Sequence, residues 1–565
     1  FEEVACHILG HMGRVSKEDL DHDPSKTDMR RKYLPNDDIG RAGLEWLCEP
    51  SLRGTLGRVT TVFGEEASSV TDPPEPGQPV RTTIDIELQQ EIQTFFASAR
   101  LHDPRYPDDR EKDQKNAVLH GAAVLLDVKT NQVLAMVSYP TYDLNHFDEQ
   151  YQGMHDDPIN DPLRNRATES QLEPGSTVKP LVGLSAITQG TIGVNQGIEC
   201  TGYLVLPVHG KPYVYRKMGR CWVASMYEKT LNGAVSQHPV PFPHQGHDGN
   251  PDGFLTYSDA LERSCNVYFE TVADRLGMDA LTDWMGRFGL GRRTGIGIEE
   301  YKGRVPGNAG EAFGMTRRAT CFFGGIGQGY VAATPIQMAN IAATIARGGI
   351  WMRPRIVLPD PKTGKLPPLR AGAMDGPDVV DLHLDPQAIA ACKLGMLNVV
   401  NGPAGTGKAA HMDDLLIAGK TGTAQAAPFR LLEKDAKGKP ILDENGHRIY
   451  KEFVPSTPDN PNTELPWYRA TGDKDNYRLD HAWMIGFAPA DNPKIAFAAL
   501  VEYGGSGGGA AADVVKASLE SCIAHGYLHP RPAVPKEEPQ PQPQARATPP
   551  LASGSELLFT PSEQR

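Results

Sequence analysis

The sequence has 565 residues, of which 39% are hydrophobic and 22% charged, so it is a globular chain long enough for two to four domains. Its formal net charge of −13 argues against a general affinity for nucleic acid or for anionic lipid head groups. It has no apolar run approaching the ~18 residues that span a bilayer, and its start lacks the basic and apolar regions of a signal peptide. Because the chain opens directly in an amphipathic segment, we expect it to be a fragment of a longer protein.

The first hundred residues have the pattern of a separate, non-catalytic α/β unit. After a Pro-rich joint, apolar spacing predicts a helix over 88–92, and either Thr83 or Asp85 could cap it. The next stretch is polar and contains proline, which is typical of a surface loop. We therefore predict an N-terminal pedestal over residues 1–100 and a surface loop over 101–118.

A larger α/β domain is predicted over residues 119–528. Two apolar runs surround a turn that contains Asn131, a residue type that tolerates a positive φ, so we predict a β-hairpin. A long helix is predicted to begin at Pro335, with Thr334 as its N-cap. The remaining predicted segments are strands over 482–487 and 495–501, a polar insertion over about 427–478, and a disordered, Pro-rich tail over 529–565.

A candidate nucleophile, Ser176, follows Pro174-Gly175 at the predicted start of a helix. Residues three apart lie on one helical face, so the Lys179 amine can reach the Ser176 hydroxyl. Lysine can act as the base that activates a serine if burial or neighbouring positive charge lowers its pKa. The helix N-terminus also offers a backbone N–H to a developing oxyanion. The alternative is an N-capping serine with a solvated lysine, because Ser-x-x-Lys alone is a common pattern.

Two later motifs favour the catalytic interpretation. Ser264 and Asn266 supply a hydroxyl and an amide that could move a proton and orient a substrate. A predicted strand then carries Lys-Thr-Gly-Thr, where the glycine would let a substrate backbone approach and the polar side chains could hold a carboxylate. This ordered trio is known from penicillin-binding proteins and class A β-lactamases, with Cys265 here in place of an aspartate. The candidate substrate-binding residues are Lys420, Thr421, Gly422 and Thr423.

On these motifs the chain resembles class B penicillin-binding proteins, most closely their elongation-specific group, from residue 7 to about 525. The resemblance implies an α/β fold (α+β layered), with a five-stranded antiparallel sheet flanked by helices, an all-helical subdomain and a smaller N-terminal pedestal. Further segments that carry it are 40–45, 83–89, 165–168, 325–330, 333–338, 481–489 and 504–510.

The resemblance implies a serine D-Ala-D-Ala transpeptidase that cross-links peptidoglycan stem peptides in cell elongation and shape maintenance, and that β-lactams inhibit covalently. Ser176 would be the nucleophile and Lys179 the base, while Ser264 and Asn266 would serve proton transfer and substrate binding. The backbone N–H groups of Ser176 and Thr423 would form the oxyanion hole. No cofactor would be needed for this chemistry.

The same resemblance implies where the protein works. Such proteins have one N-terminal membrane anchor, which we expect upstream of this chain. The catalytic domain would face the periplasm or cell exterior from the cytoplasmic membrane. A membrane-embedded glycosyltransferase of the elongation complex would be its partner.

A possible metal site lies between the first two motifs. Cys200, Cys221, His247 and Cys265 form a three-thiolate, one-imidazole set that suits a structural zinc ion, and in some relatives that resemble this chain a metal occupies this neighbourhood. The spacing matches no zinc-finger pattern, and His244 is the substitute ligand if His247 is not one. A Cys200–Cys221 disulfide and unligated thiols remain the alternatives. A closed site here would brace the loop of the second motif.

A different class of enzyme is suggested by the glycine-rich segment 504–508. It fits the G-x-S-x-G pattern of α/β-hydrolases, with Ser506 as the nucleophile of an esterase. Such an enzyme needs its Asp and His downstream of the serine, where only the tail and His525 or His529 remain. We expect these glycines to make a tight connection into the last helix instead.

Other rivals are weaker. Segment 402–408 matches most of a phosphate-binding loop, but Ala409 replaces the hydroxyl residue that would hold magnesium, so we predict a surface loop. Within the same fold, a β-lactamase, a DD-carboxypeptidase and an acylating β-lactam sensor are possible. No glutamate that would activate a deacylating water can be identified, and a pedestal favours a transpeptidase. A non-enzymatic scaffold is disfavoured because all three motifs keep their reactive residues.

Overall fold

The fold is that of a computed structural model. The described residues are 2–60, 69–98, 119–200, 202–207, 215–224, 254–308, 316–435, 438–457, 460, 462–471 and 477–531. The predicted loop over 101–118 and nearly all of the predicted tail lie outside them.

A five-stranded antiparallel sheet lies between the two main cores, and its strands in spatial order are Ala418–Gln425, Asp480–Ala488, Ile495–Val501, Gly121–Asp127 and Val133–Tyr139. This confirms the predicted sheet. The first two strands form the predicted hairpin, and Asn131 in its turn has a φ of +57°. In chain order the strands are β1 (Gly121–Asp127), β2 (Val133–Tyr139), β3 (Ala418–Gln425), β4 (Asp480–Ala488) and β5 (Ile495–Val501).

Both faces of the sheet are covered, which explains why its middle strands are almost continuously apolar. Every residue of β4 and β5 is buried. Side chains of β4 alternate between two cores: Trp483 and Ile485 pack in one, Ala482 and Met484 in the other. The sheet therefore holds the edge strand β3 rigidly in place.

Helices pack on both faces. The predicted helix Pro335–Ala346 packs in the first core, with Thr334 at its N-cap and the Gln337 side chain accepting the Thr334 N–H at 3.0 Å. Further helices after the hairpin include Phe147–His155, Arg166–Glu169, α1 (Lys179–Thr188), Tyr257–Glu262, α2 (Asn266–Leu276), Met278–Arg287, Arg317–Gly325, Pro386–Asn401 and Ala512–Ala524. None of the helices within the described ranges is long and apolar enough to cross a membrane.

The N-terminal part contains short elements and one longer helix. That helix, Ile86–Ser98, begins after Asp85, whose carboxylate accepts the Glu87 and Leu88 N–H groups at 3.1 and 3.2 Å. Its Leu88, Ile92 and Phe96 side chains pack in the second core of the sheet. The other elements here are helices Cys6–Leu9, Lys17–Asp21, Gly43–Leu47 and Glu49–Leu52, and strands Met12–Arg14, Asp38–Gly40, Arg58–Thr60 and Ser69–Asp72.

The polar insertion carries its own small aromatic cluster. Trp467 and Tyr468 pack with Tyr503, which follows β5, so the insertion is attached to one end of the sheet. The ring of His120, just before β1, stacks on Trp467 at 4.2 Å between centroids. The remaining strands of the molecule are Ile198–Glu199, Tyr203–Pro207, Tyr215–Arg220, Phe254–Leu255, Ile350–Met352, Val379–Asp381, Arg430–Leu432 and Tyr450–Glu452.

Candidate active site

The candidate nucleophile lies in a tight turn against the edge strand. Ser176 is in a 3₁₀ turn, Gly175–Val178, that continues directly into α1 at Lys179. The sequence predicted an ordinary helix start, whereas the structure has Ser176 in a 3₁₀ turn and Lys179 at the start of the α-helix that follows it. Gly175 has a φ of +54°, and a Cβ there would also lie 2.9 Å from the Thr423 carbonyl oxygen. Among the described residues, the half-buried Ser176 hydroxyl has no hydrogen-bond partner.

The second motif lies where two helices meet. Ser264 has a φ of +52°, which costs a non-glycine residue about 1–2 kcal/mol. The surroundings enforce it: the Ser264 N–H donates to Leu261 O at 3.1 Å, and the Cys265 N–H donates to Ala260 O at 2.9 Å. Asn266 is then the first residue of α2. Strain of this kind is often found at functional sites because it fixes a side chain in one direction.

The amine of Lys179 is buried and reaches the second motif directly. Its Nζ donates to Asn266 Oδ1 at 2.7 Å, to Ser264 O at 2.8 Å and to Ser264 Oγ at 3.3 Å. Burial lowers the pKa of Lys179 to about 8. Near neutral pH a useful fraction of this amine is therefore uncharged, as a general base requires.

The third motif brings a second buried amine to the same hydroxyl. Lys420, on β3, donates from Nζ to Ser264 Oγ at 2.9 Å and to Thr421 O at 3.0 Å. Burial, and then the positive charge of Lys179, hold the pKa of Lys420 well below its usual value. The Ser264 hydroxyl accepts from both amines with its two lone pairs, so its own proton is left for a third group. One hydrogen-bonded network thus joins residues of all three motifs, namely Lys179, Ser264 and Lys420.

The rest of the third motif faces the nucleophile turn and the cleft. Thr421 is only 6% exposed, whereas Thr423 is exposed. The Gly507 N–H donates to Thr423 Oγ1 at 3.3 Å. A Cβ at Gly422 would lie 2.7 Å from Pro174 O, so this glycine lets the nucleophile turn approach the strand, a different reason from the predicted approach of a substrate.

One polar residue of the site was missed by the sequence analysis. Thr406 lies in the rejected phosphate-loop segment, and its Oγ1 is 2.6 Å from Thr421 Oγ1. The segment is a loop, as predicted, but it runs alongside β3. Its Gly407 N–H donates to Val399 O at 2.8 Å, which holds it there. No local pattern links Thr406 to a strand that starts twelve residues later, so only the tertiary structure reveals the contact.

The proposed metal ligands are partly brought together. Cys200, Cys221 and Cys265 are buried, and their sulfur atoms all lie within 4.8 Å of one another. The cysteines are unbridged in the structure, so the Cys200–Cys221 disulfide is not formed. Both His247 and His244 lie outside the described residues.

Ser506, the rival nucleophile, has a structural position. Its hydroxyl accepts the Gly508 N–H at 3.2 Å and caps the start of a π-helical turn, Gly507–Ala511, that leads into the last helix. This confirms the tight glycine connection. Among the described residues no histidine or carboxylate hydrogen-bonds to it, so the hydrolase triad has no counterpart there.

Comparison with known proteins agrees with the geometry. Residues 121–217, 228–434 and 467–520 match the penicillin binding protein transpeptidase domain family, and residues 1–82 match the Penicillin-binding Protein dimerisation domain. The peptidoglycan D,D-transpeptidase MrdA of Haemophilus influenzae is 30% identical over 537 residues, or 92% of this chain and 68% of that protein.

Solved structures show the same similarity. A crystal structure of Pseudomonas aeruginosa PBP2 in complex with WCK 5153 has a TM-score of 0.63 at 28% identity, covering 95% of this chain and 92% of that one. Penicillin-binding protein A of Mycobacterium tuberculosis, solved as a ceftriaxone acyl-enzyme complex, has a TM-score of 0.51 at 25% identity, covering 80% of this chain and 81% of that one. The chain therefore belongs to the penicillin-binding proteins, as a class B member of the penicillin-binding protein 2 group.

Proposed function

We propose that this protein is a serine D,D-transpeptidase that cross-links peptidoglycan stem peptides through an acyl-enzyme on Ser176. The observation that carries the proposal is the chain of buried groups Lys179–Ser264–Lys420, in which two amines of lowered pKa share one hydroxyl beside the nucleophile turn. Family membership supports the same activity.

Acylation would proceed in balanced steps. Ser176 Oγ attacks the carbonyl carbon of the penultimate D-Ala, and its proton passes to the neutral Lys179 amine. The bond from that carbon to the nitrogen of the terminal D-Ala then breaks. The leaving nitrogen takes the proton of the Ser264 hydroxyl, and Lys179 passes to Ser264 Oγ the proton that it received from Ser176. The backbone N–H groups of Ser176 and Thr423 would stabilise the oxyanion, and Asn266 would orient the substrate.

The second half-reaction reverses the proton flow. The amino group of a neighbouring stem peptide attacks the ester carbonyl and loses a proton to the Lys179–Ser264 pair. The ester bond breaks, Ser176 Oγ regains its proton, and the new amide is the cross-link. A β-lactam undergoes only the first half, because its leaving nitrogen stays tethered in the opened ring and blocks the acceptor.

The test is to incubate the protein with a β-lactam and locate the adduct by peptide mass spectrometry. We expect a stable adduct on the Ser176 peptide that is lost in Ser176→Ala and kept in the matched control Ser506→Ala. An adduct on Ser506, or none on wild type, would overturn the proposal. Rapid release would indicate a β-lactamase, and hydrolysis of a stem peptide in the presence of an amine acceptor would indicate a carboxypeptidase.

We also propose that the cysteine cluster holds a structural zinc ion. Three sulfur atoms this close fit the ligand set of a tetrahedral site, with His247, or His244, as the fourth ligand. Cys265 lies between Ser264 and Asn266, so a closed site would brace the second motif. Metal analysis should find about one zinc per chain, and less in Cys200→Ser; the absence of zinc from protein purified without chelator would contradict the proposal.

The cellular setting is part of the proposal. Cross-linking acts on glycan strands made by a glycosyltransferase, so we propose a membrane-embedded partner of this kind in the elongation complex. The protein would be anchored in the cytoplasmic membrane by one upstream segment, with its catalytic part in the periplasm. We keep the domain division over 1–100, 101–118, 119–528 and 529–565 as a proposal; family matches over 1–82, and over 121–217, 228–434 and 467–520, support its pedestal and its catalytic domain.

A further inference from the structure

The part of the site around Thr421 and Thr423, where the substrate carboxylate is proposed to bind, contains a hydroxyl that the proposed mechanism does not use. Thr406 Oγ1 and Thr421 Oγ1 are 2.6 Å apart, which is a short hydrogen bond between hydroxyl groups. Thr421 is 6% exposed, and Thr406 is half-buried at the edge of the same strand. The contact is therefore largely shielded from water. Which of the two hydroxyls donates then determines whether the Thr421 hydroxyl can donate to a ligand.

The hydroxyl protons can be counted. One proton occupies the contact between Thr406 and Thr421, and the pair keeps a second proton that no contact among the described residues uses. On the same face of β3, Thr423 Oγ1 accepts the Gly507 N–H, and within the described ranges its own proton has no acceptor. A carboxylate only accepts hydrogen bonds, so this row of hydroxyls suits one.

The nearby Lys420 amine does not replace these hydroxyls. Its Nζ donates to Ser264 Oγ at 2.9 Å and to Thr421 O at 3.0 Å. Its hydrogen bonds therefore go to the network of the second motif. The direct donors to a substrate carboxylate would then be the threonine hydroxyls.

The loop that carries Thr406 is fixed at several points. The Ala404 N–H donates to Glu262 Oε1 at 3.1 Å, which ties the loop to the helix that precedes Ser264. On the other side, a Cβ at Gly508 would lie 2.2 Å from Thr406 O, so the glycine-rich segment packs directly on this residue. Thr406 is thus held on both sides, as a residue that sets the direction of another group must be.

We propose that Thr406 is a positioning residue for the terminal carboxylate of the stem peptide. By donating to Thr421 Oγ1, it turns the Thr421 hydroxyl proton toward the cleft, where the carboxylate accepts it. This inference rests on the proposed transpeptidase function and adds a specificity determinant to it.

The test compares two probes that differ only in the carboxylate. The second-order rate of acylation is measured for a penicillin and for its methyl ester with wild type, Thr406→Val and Thr406→Ser. We expect Thr406→Val to lower the rate for the free acid about fivefold, to leave the rate for the ester within about twofold, and Thr406→Ser to restore the free-acid rate. Equal losses for both probes would show a merely structural role and overturn the inference, as would no loss for either.

A second variant approaches the same residue from the neighbouring segment. Gly508→Ala would push on the Thr406 carbonyl, so we expect it to reduce the preference for the free acid as Thr406→Val does. An unchanged preference in both variants would contradict the inference. Failure of the proposed function looks different, because then wild type would not be acylated at Ser176 by either probe.

Discussion

The two halves of the site differ in their access to water. In the proton-transfer half, Lys179 and Lys420 are fully buried and Ser264 is 8% exposed. In the carboxylate half, Thr406 is half-buried and Thr423 is exposed. Burial lowers the pKa of an amine, so part of it is neutral and can accept a proton. A neutral hydroxyl can donate a hydrogen bond to a charged ligand without first being buried. The comparison shows that one strand carries a buried amine, suited to proton transfer, and more exposed hydroxyls, suited to binding a carboxylate.

The largest expected effect comes from removing a buried amine of the proton-transfer half. Lys179→Met should lower the second-order rate of acylation by a β-lactam about 10³-fold, because it removes the proposed general base. Lys393→Met is the matched control, since Lys393 is a half-buried lysine of lowered pKa that bonds Ala346 O outside the site. A loss below about tenfold for Lys179→Met would mean that another group takes the proton of Ser176.

The pH dependence of acylation tests the role of the same buried amine. With a pKa lowered to about 8, the neutral fraction of Lys179 rises with pH, so acylation should increase about 50-fold from pH 6 to pH 8 and then level off. The measurement is the acylation rate in overlapping buffers. The residual rate of Lys179→Met should not follow this curve; if it does, the titrating group is a different one.

The contact between the nucleophile turn and β3 is tested at Gly422. A Cβ there would lie 2.7 Å from Pro174 O and 2.8 Å from Thr177 Cγ2, so Gly422→Ala should push the nucleophile turn off β3. We expect acylation to fall about tenfold or more, because small misplacements of a nucleophile are costly. Gly153→Ala is the control, since a Cβ there meets no atom within 4 Å. Equal rates in both variants would show that the turn is not positioned by this strand.

The smallest effect is expected in the exposed half. Thr423→Val removes one hydroxyl donor, which is worth roughly 1 kcal/mol, so the acylation rate should fall about fivefold. Thr423→Ser should retain most of the rate. A loss in Thr423→Val as large as that of Lys179→Met would contradict the separation of chemistry from recognition.

Local sequence patterns predicted much of the fold. The hairpin followed from a residue that tolerates positive φ, Asn131, and the long helix from Thr334 and Pro335 at its start. Asp85, one of two candidates, caps the helix Ile86–Ser98. These features depend on neighbours in the chain, so the sequence contains the information directly.

The sequence could predict only those residues of the site that belong to short, continuous motifs. The three motifs place Ser176, Ser264 and Lys420, but the strained φ of Ser264 depends on the surrounding helices. Thr406 is recognisable only once the loop is packed against β3. Such contacts depend on tertiary packing, which leaves no periodic trace in the sequence.

The pairing of the strands also determines at which stage of synthesis the active site can assemble. Gly121 of β1 pairs with Val501 of β5, so the centre of the sheet is closed by segments from opposite ends of the catalytic domain. During synthesis the hairpin β1–β2 emerges early, but β3 has no neighbouring strand until β4 has followed it. Contacts between such distant segments form late. The nascent chain therefore contains no assembled active site, and the cross-linking activity begins only when the last strand is in place.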